Sequence, residues 1–169
     1  YLSAGPFVPE VVLEHPEVVT QLHREFIRAG SDVVQAFTYY GHREKLRIIG
    51  KEHLLEPMQK NALKIAKDAA AEFKDLDLMV CGDVANTNVF DPNDVNTHKQ
   101  CQQMYEEQVT WAKEAGVDFV VAETISWADE MKIALKAIKD AGLIAVCNFA
   151  IPRGDKTREG HSAEDACKM

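Results

Sequence analysis

Apolar positions along the chain recur with two alternating periods, and that alternation predicts the architecture. Over residues 17–29, Val19, Leu22, Phe26 and Ala29 fall at helical spacing, and Gly30 follows as a stop. The next segment, 32–38 (DVVQAFT), is short and rich in Val and Phe, which predicts a strand. A polar stretch holding Gly41 and Gly50 separates it from a second helix over 57–73, where Met58, Ala62, Ile65, Ala69 and Phe73 share one face. The unit then repeats. A buried strand is expected over 78–84 (LMVCGDV), and a loop with Asp91, Pro92, Asn93 and Asp94 leads to a helix over 100–115. A third strand is expected over 118–124 (DFVVAET), a helix over 127–141 carrying Met131, Leu135 and Ile138, and a fourth strand over 143–149. Ser162, with Asp165 three residues on, is the expected N-cap of a last helix.

Helices alternating with apolar strands call for parallel strands joined by crossover helices. The turns Ala29-Gly30-Ser31-Asp32, Ala115-Gly116-Val117-Asp118 and Ala141-Gly142-Leu143 mark each helix-to-strand passage in the same way. This recurrence favours a (βα)n barrel over a doubly wound sheet, and no G-x-G-x-x-G follows any strand to support dinucleotide binding. The expected fold is therefore α/β, a partial (βα)8 barrel with about four strands. Residues 1–169 read as the N-terminal part of one such domain, cut at both ends. An open half-barrel exposes strand edges and its apolar interior, so instability or aggregation of this piece alone, without activity, is expected.

Composition narrows the partners. A net charge of −8, with basic residues scattered among acids on helix faces, argues against nucleic acid. The longest apolar runs are too short to cross a bilayer, and no secretory signal is visible. Cys81, Cys101, Cys147 and Cys167 lack C-x-x-C spacing and sit in predicted strands or helices, which suits reduced thiols in a cytoplasmic protein. The six histidines are dispersed, with no H-x-x-x-H or H-E-x-x-H spacing for a metal.

In a barrel of this kind the reactive groups lie at the carboxyl ends of the strands. Glu123 ends the third strand and shares the parity of Phe119 and Val121, which places an acid beside apolar residues at the mouth, suited to an ammonium ligand. A rim ion pair with a neighbouring Lys or Arg is the competing role. Phe37, Tyr39 and Tyr40, with Phe7, have the composition of a cation–π cage for a quaternary ammonium, although strand-end aromatics more often pack on the next loop. Asp83, near Asn86, Asn88 and Asp91, fits a turn as well as a site lining.

These residues also carry a family likeness. The stretch Ala4-Gly5-Pro6-Phe7-Val8-Pro9-Glu10, then Glu14-His15-Pro16-Glu17, Gln21-Leu22-His23-Arg24-Glu25-Phe26 and Gln35-Ala36-Phe37-Thr38-Tyr39-Tyr40, resembles the homocysteine S-methyltransferase family, in particular its betaine-using members. The segment from Val117 through Asp118, Phe119, Val120, Val121 and Ala122 to Glu123 resembles the family's fourth barrel strand. The resemblance implies methyl transfer from betaine to the sulfur of homocysteine, giving methionine and dimethylglycine. It further implies a zinc ion that lowers the sulfur's pKa, held by three cysteine thiolates lying beyond Met169. On it, Glu123 holds the homocysteine amino group, Tyr40 lies beside the betaine methyls, Tyr39 and Phe7 belong to the same cage, and homo-oligomers form.

Phe7 stands where the family has Trp, Thr124 where it has an aromatic, and the loop after Asp83 departs from its glycine-and-serine pattern. S-methylmethionine or a folate donor thus stays open as the methyl source. A barrel paralogue without catalysis is the reading from another class.

Overall fold

The computed structural model describes residues 8–151 and 154–169, and Phe7 lies outside them. Among the described residues, four parallel strands form one sheet in the order β1-β2-β3-β4: β1 (Val33–Gln35), β2 (Met79–Ala85), β3 (Phe119–Ile125) and β4 (Ile144–Phe149). Sequential strands are neighbours, as a barrel wall requires. The helices are α1 (Val11–Glu14), α2 (Pro16–Arg28), α3 (Arg43–Ile48), α4 (Leu55–Ala71), α5 (Val95–Ala115), α6 (Ala128–Asp140) and α7 (Ala163–Lys168). The elements read from periodicity all form. Ser162 caps α7, its hydroxyl accepting from the Asp165 amide at 3.1 Å. The polar stretch after β1 adds α3 and a 3-10 turn, Glu52–Leu54, too short to leave a periodic signature.

The repeated Ala-Gly turns work by one mechanism. Gly30, Gly116 and Gly142 adopt φ of 102°, 69° and 79°, left-handed values that cost glycine nothing. The amide after each glycine then bonds back to the helix: Ser31 to the Phe26 carbonyl at 3.0 Å, Val117 to Ala112 at 3.3 Å, and Leu143 to Ile138 at 3.2 Å. Each helix thus ends on a satisfied carbonyl, and the chain leaves for the next strand through the same turn three times.

Strand alternation gives the sheet two unlike faces. Val34, Val80, Val84, Val120 and Ala122 are buried against Ile27 of α2, Leu63 and Ala66 of α4, Tyr105 and Val109 of α5, and Met131 and Ile138 of α6. Gly82 is required on this side, because a Cβ there would meet the Ala112 methyl at 3.0 Å and so hold α5 away from the sheet. The inner face, matched across the register, carries Val33 and Gln35, then Cys81, Asp83 and Ala85, then Phe119, Val121 and Glu123, then Ile144, Val146 and Asn148. This face opens toward β4, where Ile144 is 69% and Val146 45% exposed.

The apolar residues at helical spacing in α2 do not all turn inward. Val19, His23 and Ile27 are buried, whereas Leu22 and Phe26 stand 39% and 59% exposed, together with Val18. Leu22 and Phe26 line a cavity of about 350 Å³ against the free edge of β1. The helix therefore has two apolar stripes, and spacing alone cannot say which one the core takes.

Candidate substrate site at the carboxyl ends of the strands

The carboxyl ends of β1, β2 and β3 bring several polar side chains onto the inner face. Gln35 closes β1, and its Nε2 donates to Glu123 Oε1 at 3.0 Å, across two strand positions. Asp83 lies two residues before Ala85, the register partner of Glu123, so the two carboxyls are diagonal neighbours on adjacent strands. Thr38 fixes the loop after β1 to this strand, its hydroxyl donating to the Asp83 carbonyl at 3.1 Å.

The electrostatics is that of acids in a dry place. Asp83 is only 3% exposed, and neither of its carboxyl oxygens has a hydrogen-bond partner. Burial, and then the nearby Glu123 carboxylate, push its pKa well above the usual carboxylate range. Cys81, on the same face, is pushed up to about 12 by burial and by Asp83 and Glu123, which makes it a neutral thiol. Tyr39 is also pushed up to about 12, chiefly by burial, with its hydroxyl in reach of Thr124 and Tyr40 and its charge opposed by Glu123.

Backbone strain concentrates at the same place. Thr124 has φ of 60° and Tyr40 φ of 58°, left-handed values that are unusual for side chains with a Cβ, above all for a β-branched one. Thr124 is also where the β3–β4 register slips between Glu123 and Ile125, a bulge that re-aims the end of the strand. Such strain costs about 1–3 kcal/mol per residue and persists where surrounding contacts enforce it.

The aromatic residues divide. The Tyr39 and Tyr40 rings lie 4.3 Å apart, tilted by 43°, in the loop that follows Gln35. Phe37 packs on the cluster of Val8, Val12, Leu46 and Met58 and, with Gln35 and Tyr39, lines the cavity beside α2. The expected position of Phe7 in the cage falls outside the described residues. Asp83 sits inside a strand, which removes the turn reading. Glu123 meets Gln35 instead of a rim Lys or Arg.

Three participants escaped the sequence reading. Gln35 is a lone amide in an apolar strand, and its parity with Glu123 was the available signal. Lys45 places its Nζ 4.2 Å from the Tyr40 ring centroid, a contact set by the unpredicted α3. Glu130, in the first turn of α6, is 2% exposed and holds the loop after β2. Its Oε1 accepts from the Thr87 amide at 2.8 Å, the Thr87 hydroxyl at 2.6 Å and the Tyr105 hydroxyl at 3.2 Å.

A thiolate-bound metal does not fit these residues. Among the described residues no three His, Cys, Asp or Glu side chains converge. Cys101 is buried on the helical side against Thr87 at 3.1 Å, away from Cys81 on the inner face, while Cys147 and Cys167 are exposed. No described helix is long and apolar enough to cross a membrane.

Comparison with known proteins agrees with this architecture. Residues 3–169 match the family model described as Homocysteine S-methyltransferase. Betaine–homocysteine S-methyltransferase 1 of Bos taurus is 34% identical over 160 residues, which span 92% of this chain and 38% of the bovine protein. The Sus scrofa protein of that name is also 34% identical, with 56% of its length covered. The chain thus spans between about two fifths and just over half of these relatives. Among solved structures, the oxidized form of the homocysteine methyltransferase MmuM from Escherichia coli superposes with a TM-score of 0.82 at 17% identity, over 99% of this chain and 63% of that one. Its metallated form gives 0.79 over 94% and 60%. At that identity the likeness speaks for the fold, part of a (βα)8 barrel. With the family model covering nearly every residue, the chain belongs to the homocysteine S-methyltransferase family.

Proposed function

We propose that the protein carrying this sequence transfers a methyl group from betaine to the sulfur of homocysteine, giving methionine and dimethylglycine. The observation that carries the reading is the half-buried Glu123 carboxylate at the end of β3, held by Gln35 and next to the Tyr39–Tyr40 pair. A carboxylate so placed accepts hydrogen bonds from a primary ammonium, such as the homocysteine amino group. A quaternary ammonium has no N–H to donate, so it gains more from tyrosine rings, at about 0.5–2 kcal/mol per well-placed ring. The two substrates are thereby sorted by the chemistry of their nitrogen atoms. Betaine as donor draws on the names of the 34%-identical relatives.

In this reading Glu123 and Asp83 serve the acceptor and Tyr39 and Tyr40 the donor, with Phe7 proposed for the donor cage on the family resemblance alone. Phe37 contributes by packing beneath the loop that carries the tyrosines. Zinc would lower the pKa of the homocysteine sulfur, and because the described cysteines do not converge, its thiolates would have to come from elsewhere in the protein. A cytoplasmic homo-oligomer is the proposed working form.

The test is methionine formation by the protein at the length of its relatives, offered betaine, S-methylmethionine or a methyl folate in parallel. Betaine should support turnover best, and Glu123→Ala should raise the KM for homocysteine more than that for betaine. Turnover with another donor alone would replace betaine, and unchanged kinetics in Glu123→Ala would remove that residue from the site.

A further inference from the structure

Asp83 is a carboxyl group with no visible reason to be where it is. Its side chain lies inside β2, 3% exposed, and both oxygens are unpartnered. An isolated carboxylate in such surroundings is costly enough that it takes up a proton instead. Its surroundings offer no compensation. Glu123 stands diagonally across on β3, Cys81 is two residues back on β2 as a neutral thiol, and Val121 is its register partner. Gln35 of β1 has committed its amide to Glu123, and Tyr39, whose hydroxyl stays neutral, comes from the loop. Among the described residues no ion pair involves Asp83.

We infer that Asp83 donates a hydrogen bond from its carboxyl to Glu123, so that the two form a one-proton, one-charge pair that positions Glu123 for a primary ammonium. The inference rests on the acceptor reading of Glu123 and assigns Asp83 as its positioning residue. Two adjacent carboxyls that share a proton hold it tightly, because both ionise together only against mutual repulsion. The proton on Asp83 occupies one lone pair of Glu123, and the Gln35 amide occupies another. The remaining lone pairs and the single net charge are left for a ligand at the half-buried carboxyl end of β3. A site built this way matches a ligand bearing one positive charge and N–H donors. A dication or a metal ion would require the second negative charge that the shared proton removes.

Two measurements on the protein at the length of its relatives test this. Infrared difference spectroscopy between wild type and Asp83→Asn, without ligand at neutral pH, should show the C=O stretch of a neutral carboxylic acid lost in the variant. Appearance of carboxylate bands instead would overturn the pair. The second measurement is steady-state kinetics. Asp83→Ala should raise the KM for homocysteine about tenfold while kcat changes less than about threefold, and Asp83→Asn, which keeps an N–H donor toward Glu123, should recover most of that loss. Equal KM in Asp83→Ala and wild type would overturn the positioning role. A neutral-acid signal in a protein that fails to methylate homocysteine would leave the pair standing and remove only the functional reading.

Discussion

Two carboxyl groups lie buried near the same end of the sheet, and they are provided for in opposite ways. Glu130 collects three donors on one oxygen, from the Thr87 amide, the Thr87 hydroxyl and the Tyr105 hydroxyl. Asp83 collects none and is turned toward another acid. Burial of a charge is tolerated when hydrogen bonds replace its water, and Glu130 is a structural anchor by that criterion. Asp83 gains nothing for the fold, so its placement has to be explained by what the inner face binds. The helical side of the sheet carries the main apolar core; the inner side holds the unsatisfied acid, the strained Thr124 and Tyr40, and the neutral Cys81.

The contrast is broken most severely by Glu130→Ala. The substitution strands three donors in a place water does not reach, and destabilisation of about 3 kcal/mol is expected. Urea unfolding at the length of the relatives measures it, and a loss under about 1 kcal/mol would make Glu130 dispensable.

Asp83→Val should act with the opposite sign, raising stability by about 1 kcal/mol, because it removes a buried carboxyl that lies against another acid. Linkage gives the pH dependence. The folded-state pKa of Asp83 is raised, so between the ordinary carboxyl value and that raised value the native protein binds more protons than the unfolded chain. Stability contributed at this position is therefore full at acidic pH and falls as pH rises through that window. The Asp83→Val variant should lose this slope, and a variant with an unaltered slope would place the titration on another group.

Much of this contrast was visible in the sequence, and the missing part has a physical cause. Strand parity placed Glu123 on the inner face, and the Ala-Gly turns announced each strand entry, because both are properties of a few consecutive residues. Which stripe of α2 is buried was not legible, since Val19, His23 and Ile27 compete with Val18, Leu22 and Phe26, and only the neighbouring elements decide between them. Phe37 was read with the cage by adjacency to Tyr39; its packing on the second core cluster, while it lines one cavity with Gln35 and Tyr39, depends on α1 and α4 and has no local signature. Asp83 read equally as turn or site because its significance depends on Glu123, forty residues away. Glu130 acts through residues 25 and 43 positions away, which no local pattern encodes, and Lys45 reaches the nearby Tyr40 ring only because the short α3 forms.

Thr124→Gly sharpens the comparison at smaller scale. Glycine adopts φ of 60° freely, so relief of strain should outweigh the added entropy of the unfolded chain and leave about 0.5–1 kcal/mol of stabilisation. The same change removes the hydroxyl in reach of Tyr39 and the constraint on the bulge that aims Glu123. Homocysteine KM should therefore rise while the melting temperature rises, the signature of strain held for binding. A higher melting temperature with unchanged homocysteine KM would show that the bulge is incidental.

The smallest effect is expected at Lys45. Its ammonium sits 4.2 Å from the Tyr40 ring centroid, so the ring already holds a cation. An arriving quaternary ammonium competes with Lys45 for Tyr40 unless it takes the opposite face of the ring. Removing a half-exposed cation–π contact is worth about 0.5–1 kcal/mol, which corresponds to roughly two- to fivefold in binding. Lys45→Met keeps the apolar stem and removes the charge, so betaine KM should fall about threefold with homocysteine KM unchanged. A rise in betaine KM would instead mean that Lys45 holds Tyr40 in its left-handed backbone conformation for the donor, and the ring's two faces would then have separate tasks.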